Sequence, residues 1–357
     1  MPAIYFTGFP GFLGSELLPR VLSRSSDRVA YCLVQPKFAA LASERALGLM
    51  ALRPEFAGRI RLIEGDLAQK LVPPAVDDIV EIYHLAAVYD LSVKRDLAVR
   101  INVEGTRSVL DLARRSPRLK RLHYISTCYV SGSHPGAFNE DDLEKGQTFN
   151  NYYEETKYLA EVEVQRAMRE GLPVTIYRPS VVVGDSGTGA TQKFDGPYFV
   201  IQWLLRQPRI AILPVAGNPR DYLFNVVPRD FVIQAIDYLS GQEISRGKVY
   251  QLADPEPLTV DATINAIAEA TERTVLRIPM PKVLAKAALD HVPGVYRLMR
   301  IPSAAVDYFV HPTTYGTAQA TADLAPPGII APHFDEYVAR LVEFVRAHPE
   351  IGSAAMV

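Results

Sequence analysis

Cysteine is scarce in this chain: Cys32 and Cys128 are the two present among 357 residues. That count excludes a disulfide framework and fits a reducing compartment. The seven histidines are scattered. Neither an H-E-x-x-H nor a C-x-x-C spacing occurs, so no structural or catalytic metal is expected. No apolar run reaches the ~18 residues that crossing a bilayer requires. The first run, residues 3–6, is too short for the core of a secretory signal, so the cytoplasm is the expected location. An excess of one charge is missing as well. The net charge is −2 with 22% charged residues, which gives no electrostatic footprint for nucleic acid. Internal repeats and low-complexity segments are absent. What remains is the composition of a soluble globular protein, 48% hydrophobic, long enough to bury a large core as one elaborated domain or two.

Residues 3–7 form a short apolar run that leads into T-G-F-P-G-F-L-G (7–14), and Leu17, Leu18, Val21 and Leu22 follow at helical spacing. This reads as strand, glycine turn, helix. Glycine permits a tight turn and close approach of a pyrophosphate, and the helix amino terminus presents free N–H groups to the anion. Gly8, Phe9, Pro10, Gly11, Phe12, Leu13 and Gly14 are therefore candidates to hold a dinucleotide, with an ordinary strand-to-helix turn as the plainer alternative.

The next strand, residues 29–34, would be followed by Asp or Glu if it gripped the ribose hydroxyls of NAD. The chain continues Gln35-Pro36-Lys37, and no acid comes before Glu44. A missing carboxylate beside a cation favours a 2′-phosphate, hence NADP(H) ahead of NAD(H), with Gln35 and Lys37 as contacts. Otherwise Lys37 merely opens a solvated helix. Further strands are expected at 59–67 and 79–87. Asp66, followed by Leu67, is placed to meet the adenine; its plainer role is a helix N-cap. H-L-A-A (84–87) puts the small residues Ala86 and Ala87 where backbone can reach the cofactor, and His84 reads as a packed strand residue. Asn102, on a helix over 100–113, is expected to brace the neighbouring strand or help organise the site. Strands at 121–127 and 172–180 complete an α/β pattern: a Rossmann-type doubly wound parallel sheet, with its ligand outside the strands' carboxyl ends.

Between those last two strands, Tyr153 and Lys157 form the one Tyr-x-x-x-Lys pair of the chain. Positions four apart share a helix face. An ammonium beside a phenol favours the phenolate, so Tyr153 would exchange a proton well below the usual ~10. On spacing alone an exposed helix face explains the pair as well. Tyr152 lacks the spacing to Lys157, and Cys128 reads as a buried strand residue.

Past residue 180 the character changes. Residues 184–196 are polar and glycine-rich, a mobile loop expected over the site. An amphipathic helix at 227–239 and a strand at 248–253 are expected to return to the nucleotide-binding sheet. The expected domains are thus 1–184 plus 226–253 for NADP binding, 185–225 plus 254–330 as a discontinuous substrate lobe, and 331–357 as a terminal helix and tail. Residues 279–300 read as an amphipathic cap over the cleft, with an acyl tunnel or a membrane-surface contact as alternatives. The terminal helix is expected at 334–346 and a frayed end at 352–357.

The motifs T-G-F-P-G-F-L-G, H-L-A-A, S-T-C-Y-V-S-G, Y-Y-E-E-T-K and R-P-S-V-V-V-G, in this order and spacing, resemble the extended short-chain dehydrogenase/reductase superfamily across essentially the whole chain. Within it, I-S-T-C-Y-V, V-V-G-D-S-G-T-G, F-D-G-P-Y-F and H-P-T-T-Y-G-T are most similar to the fatty acyl-CoA reductase and carrier-protein thioester reductase group of "male sterility" type. The resemblance implies a catalytic triad of Thr127, Tyr153 and Lys157. Alignment on Gly132 puts Thr127, and not Ser126, in the hydroxyl slot. Tyr153 would donate a proton to the carbonyl oxygen that receives hydride at carbon, Thr127 would hydrogen-bond that oxygen, and Lys157 would lower the tyrosine pKa and hold the nicotinamide ribose. Pro179, Ser180 and Val182 would line the nicotinamide. The implied reaction is NADP(H)-dependent reduction of an acyl thioester or related lipid carbonyl, through a hemithioacetal to an aldehyde and in a second round to the alcohol. The implied partners are a small-molecule substrate and an acyl carrier, for a monomer or homodimer. Alternatives on the same fold are a nucleotide-sugar epimerase or dehydratase, a hydroxysteroid- or flavonoid-type alcohol dehydrogenase, and an NADP-binding redox sensor without catalysis.

Overall fold

The computed structural model describes residues 1–89, 93–292, 299 and 301–353. Along the chain, β1 (Ala3–Thr7), β2 (Val29–Val34), β3 (Ile60–Glu64), β4 (Ile79–His84) and β5 (Arg121–Ile125) alternate with α1 (Gly14–Ser23), α2 (Ala39–Leu52), α3 (Arg95–Ala98) and α4 (Gly105–Arg115). A short β6 (Gly136–Phe138) precedes α5 (Tyr152–Arg169), β7 (Val174–Pro179) and β8 (Val181–Val183). Then come α6 (Tyr198–Leu205), β9 (Ile210–Ala216), β10 (Val226–Pro228), α7 (Arg229–Ser240) and β11 (Val249–Leu252). The last part supplies α8 (Val260–Thr271), β12 (Thr274–Met280), α9 (Lys282–His291), β13 (Thr313–Tyr315), α10 (Ala318–Leu324) and α11 (Phe334–Ala347).

Seven strands form one parallel sheet in the order β11-β7-β5-β4-β1-β2-β3. Every strand of it except the edge strand β3 is buried at all its residues. That is why these segments read as unbroken apolar runs: a parallel sheet covered by helices on both faces has no solvent side to alternate with. One face packs on α1 and α7 through Leu17, Leu18, Val21, Phe231 and Ile236. The other packs on α4 and α5 through Val109, Leu110, Ala160 and Val164. This is the doubly wound Rossmann arrangement. Strand order reverses between β1 and β4, and a crevice at the carboxyl ends there is the ligand position such sheets create.

Two features depart from the sequence reading. The helix expected over 100–113 begins instead as α3, widens into a π-helical turn at Val99–Glu104, and resumes as α4. Such turns break regular spacing and recur at functional sites. Asn102 lies in it, 2% exposed. Its side chain accepts from Val88 N at 2.8 Å and donates to Thr156 Oγ1 at 3.0 Å, fastening the segment after β4 to α5. The second departure is a two-stranded parallel sheet of β9 and β12, packed with α6, α8 and α11 around Trp203, Leu213, Ile264, Phe334 and Leu341. Of the segment expected as a cap over 279–300, Pro279 and Met280 end β12 and Lys282–His291 form α9; residues 293–298 and 300 lie outside the described residues, as do 354–357 of the expected frayed end. A 3-10 segment, Ser303–Val310, follows, and β13 pairs with β6.

Candidate active site

A cleft of about 540 Å³ runs along the carboxyl ends of the sheet. Its floor is the turn after β1. Gly8 has φ +95°, and a Cβ there would lie 2.8 Å from Leu85 Cβ and 2.9 Å from Ala86 N. A Cβ on Gly14 would run into the Gly8 carbonyl. Side chains at these positions would push the turn off β4, so glycine keeps the floor flat enough for a ligand to approach backbone. Gly11 N donates to Gly8 O at 2.8 Å and Ser15 N to Gly11 O at 3.0 Å, while the amides of Phe12, Leu13 and Gly14 have no acceptor among the described residues. They open α1 and face an anion with the positive end of the helix. Across the cleft, the buried Ser180 Oγ also has no partner among the described residues. Free helix-terminal amides at one end and an unsatisfied hydroxyl at the other fit a dinucleotide laid between them.

The structure brings Gly8 to Gly14, Gln35, Leu67, Ala86, Ala87, Thr127, Tyr153, Lys157, Pro179, Ser180 and Val182 to the wall of this one cleft. Three expected contacts are not on that wall. The Lys37 ammonium lies 5.0 Å over the ring of Phe38, which does line the cleft. Asp66 accepts from Ala68 N at 3.0 Å and so shapes the turn after β3. Asn102 is the brace already described.

Thr127 caps the short turn Cys128–Ser131: its Oγ1 accepts from Tyr129 N at 3.3 Å. The same hydroxyl donates to Pro179 O at 3.4 Å and lies beside the Tyr153 phenol. Ser126 Oγ instead donates to Glu161. α5 starts because Asn151 caps it, accepting from Glu154 N at 3.0 Å. That start places Tyr153 inward at 9% exposure and Tyr152 outward at 46%. One turn on, Lys157 Nζ donates to Ile125 O at 2.8 Å and Tyr124 OH at 3.1 Å, with the Tyr124 ring centroid 4.5 Å away.

Burial sets the protonation of this pair. It holds the Tyr153 phenol above its usual range, with the neighbouring Thr127 hydroxyl acting the other way. It pulls Lys157 down to about 7, with Glu161 one turn further acting the other way. The depression of the tyrosine expected from the four-residue spacing is not the arrangement here, because the lysine N–H groups are turned to β5. A stability test follows. The unfolded chain keeps the Lys157 proton up to the usual ~10.4, so between about 7 and that value the unfolded state binds more protons and stability rises with pH. Lys157→Met removes the buried ammonium. The variant is expected to melt several degrees above the parent at pH 7, with the difference narrowing toward pH 10 in a thermal-shift series. Equal melting at both pH values would refute the buried-lysine account.

Behind Thr127, Tyr153 and Lys157 lies an ion pair at 0% side-chain exposure on both sides: Arg178 Nη2 to Glu161 Oε1 at 2.6 Å, with Nε at 3.0 Å. It ties α5 to β7, and Glu161 also accepts from Ser126 at the end of β5. Cys128 is buried, its Sγ donating to Arg178 O at 3.0 Å, and burial pushes its thiol up, away from the reactive thiolate. The 184–196 loop, expected to be mobile, is fastened at several points. Asp185 Oδ1 accepts from Gly187 N and Thr188 N, Ser186 N donates to Asp230 at 2.8 Å, and Phe194 is fully buried. Between these anchors it turns Lys193 and Asp195 to the cleft. Tyr89, Lys193 and Tyr308 line the site without any motif in the sequence to announce them, while Tyr129 and Asp195 lie inside I-S-T-C-Y-V and F-D-G-P-Y-F, motifs that assign them no role.

Residues 6–236 match the NAD-binding family described as "Male sterility protein". The chain belongs to this family. A component of the linear gramicidin synthase of Brevibacillus parabrevis is 31% identical to it over 289 residues, 74% of this chain and 5% of that protein. Fatty acyl-CoA reductase wat of Drosophila melanogaster is 27% identical over 289 residues, 69% of this chain and 55% of that protein. The chain thus spans a small part of the synthetase it matches and about half of the acyl-CoA reductase. Among solved structures, the terminal R domain from the myxalamid PKS-NRPS biosynthetic pathway superposes with a TM-score of 0.80 at 26% identity, covering 98% of this chain and 91% of that one. UDP-glucuronic acid 4-epimerase from Bacillus cereus, in complex with NAD, shares the fold at a TM-score of 0.69 and 18% identity, with 99% of both chains covered. This member of the male sterility family has the fold of the extended short-chain dehydrogenase/reductases, and the proteins it resembles include a fatty acyl-CoA reductase and a terminal reductase domain. No helix among its described residues is long and apolar enough to cross a membrane.

Proposed function

We propose that the chain is an NADP(H)-dependent reductase of acyl thioesters, acting through Thr127, Tyr153 and Lys157. The observation that carries this reading is the substrate end of the cleft. Beyond Tyr153 and Thr127 it is walled by Tyr129, Phe199, Phe224, Ala305, Tyr308 and Phe309, and no arginine lines the cleft among the described residues. Aromatic and small side chains suit an acyl group. A nucleotide sugar would instead need cations for its second pyrophosphate, which disfavours the epimerase reading.

Bound in the glycine cradle, NADPH supplies the hydride that a carbonyl carbon accepts. The chain's own residues manage the charge that appears on oxygen. Tyr153, which burial keeps protonated, is in the form able to give its proton to that oxygen, and Thr127 Oγ1 is beside it to donate a hydrogen bond. Lys157 holds the ribose next to the reacting ring. Gln35 and Phe38 wall the adenosine end, with Lys37 over Phe38 as the cation for a 2′-phosphate. A thioester treated this way becomes a hemithioacetal, which collapses to an aldehyde and a thiol; an acyl carrier or coenzyme A is the thiol partner.

The test is cofactor consumption by the purified protein, with NADPH and NADH each offered acyl-CoA, acyl-carrier thioester, aldehyde, sterol and nucleotide-sugar substrates. NADPH oxidation with thiol release from thioesters is the expected result. Turnover restricted to sterols or nucleotide sugars would overturn it.

A further inference from the structure

Collapse of a hemithioacetal breaks a carbon–sulfur bond, and the residues placed so far act on oxygen alone. The hydroxyl proton returns to the Tyr153 phenolate left by the first step, the C–O bond becomes C=O, and sulfur departs with the C–S electron pair. A thiolate released into an apolar cleft is costly unless a cation or proton meets it. Two ammonium groups line the cleft among the described residues, Lys157 and Lys193. Two Lys157 N–H groups go to Tyr124 OH and the Ile125 carbonyl on β5, and in the reading above the third goes to the ribose.

Lys193 lines the same cleft from the 184–196 loop. Its Nζ lies 4.4 Å over the ring of Tyr89, and that ring meets Tyr153 edge-to-face at 4.9 Å between centroids. The ammonium is therefore one ring removed from the proton donor. Asp195 holds it at 2.9 Å and lies close enough to the Tyr89 hydroxyl to help keep that phenol protonated. The pair is partly open to the cleft, with side-chain exposures of 23% and 17%. An ammonium has three N–H donors, so the bond to Asp195 leaves others for a ligand. The buried Phe194 between the two residues fixes the backbone that carries them.

We propose that Lys193, positioned by Asp195 and Tyr89, receives the departing sulfur: its N–H passes to the thiolate to give the thiol, and the neutral amine regains a proton from water. This rests on the thioester reading above. It makes Lys193 a catalytic residue for C–S cleavage and Asp195 a positioning residue.

Single-turnover reactions with enzyme in excess separate the two steps, by reading NADPH absorbance and thiol release with a chromogenic disulfide on the same sample. In the parent, both signals change together with acyl-CoA. In Lys193→Met, thiol release is expected to lag NADPH oxidation by at least tenfold. An S-phenyl thioester of the same acyl group, whose thiol is more acidic, should remove the lag, and Lys193→Arg should shorten it. Melting curves confirm that each variant is folded. If Lys193→Met slows both signals equally on both thioesters, Lys193 only shapes the loop and the proposal is overturned. If the parent oxidises no NADPH with any thioester, the thioester reading itself has failed, and this inference falls with it.

Discussion

Turnover is expected to fall by ~10²–10⁴-fold in Tyr153→Phe, the usual contribution of a positioned proton donor, while dinucleotide affinity should change little. The ring remains, so the edge-to-face contact with Tyr89 at 4.9 Å survives and the buried volume is unchanged. What is lost is the hydroxyl beside Thr127. Losing it also leaves Thr127 Oγ1 with its bonds to Pro179 O and Tyr129 N, so the neighbouring hydroxyl is not orphaned and the fold should hold. Cofactor titration by fluorescence and kcat at saturating substrate check the two halves of this expectation. A folded variant that kept its kcat would remove Tyr153 from the chemistry. A weaker dinucleotide complex with unchanged kcat would recast it as a binding residue.

Glu161→Ala should destabilise the chain by ~3–5 kcal/mol, the range for stripping one partner from a buried pair. Arg178 has no exposure to solvent and makes two of its bonds to Glu161 at 2.6 and 3.0 Å. Its remaining donations, to Asp142 O at 2.8 Å and to the carbonyls of Asn139 and Glu140, orient the guanidinium but do not neutralise it. The double variant Glu161→Met with Arg178→Met should recover most of the loss, because two apolar side chains of similar length need no mutual charge. Chemical denaturation of the two single variants and the double variant closes the cycle. An additive result would mean that the pair is not coupled. Activity should fall with Glu161→Ala even where the protein stays folded, since Ser126, next to Thr127, also relies on that carboxylate.

Much of this was readable from residue order, and the reasons are physical. The strands at 3–7, 29–34 and 79–84 were legible because burial on both faces leaves an apolar run with nothing to interrupt it. The glycine turn was legible because its backbone demands are local: Gly8 needs positive φ and Gly14 needs an empty Cβ position, whatever surrounds them. The π-helical turn at 99–104 was hidden, since one added residue inside a helix barely disturbs the apolar spacing on either side. β9 and β12 were hidden for another reason. They pair across some sixty residues, both carry proline, and their outward positions Ile210, Ile212, Leu276 and Ile278 stay exposed, so neither resembles a buried strand. Lys193, Asp195 and Tyr89 meet only through the folded course of two loops. Their charges read as ordinary surface residues until the cleft is seen. The lysine's influence on Tyr153 was overestimated because spacing places two side chains on one face without saying where their ends point.

Strand β11 has a consequence for how the chain can be divided. The recognisable family stretch stops at residue 236, yet the sheet is completed by residues 249–252, which pair with β7 from Ile176 to Pro179. Ile176 N and Ser180 N donate to Lys248 O and Leu252 O in that seam. A piece cut at the family boundary would leave β7, the strand of Arg178 and the approach to Ser180, as a bare edge with a row of unpaired amides. Such edges invite pairing with other chains. The unit of kinship and the unit of folding are therefore different lengths, and any excised domain has to run past Leu252 to carry its own last strand.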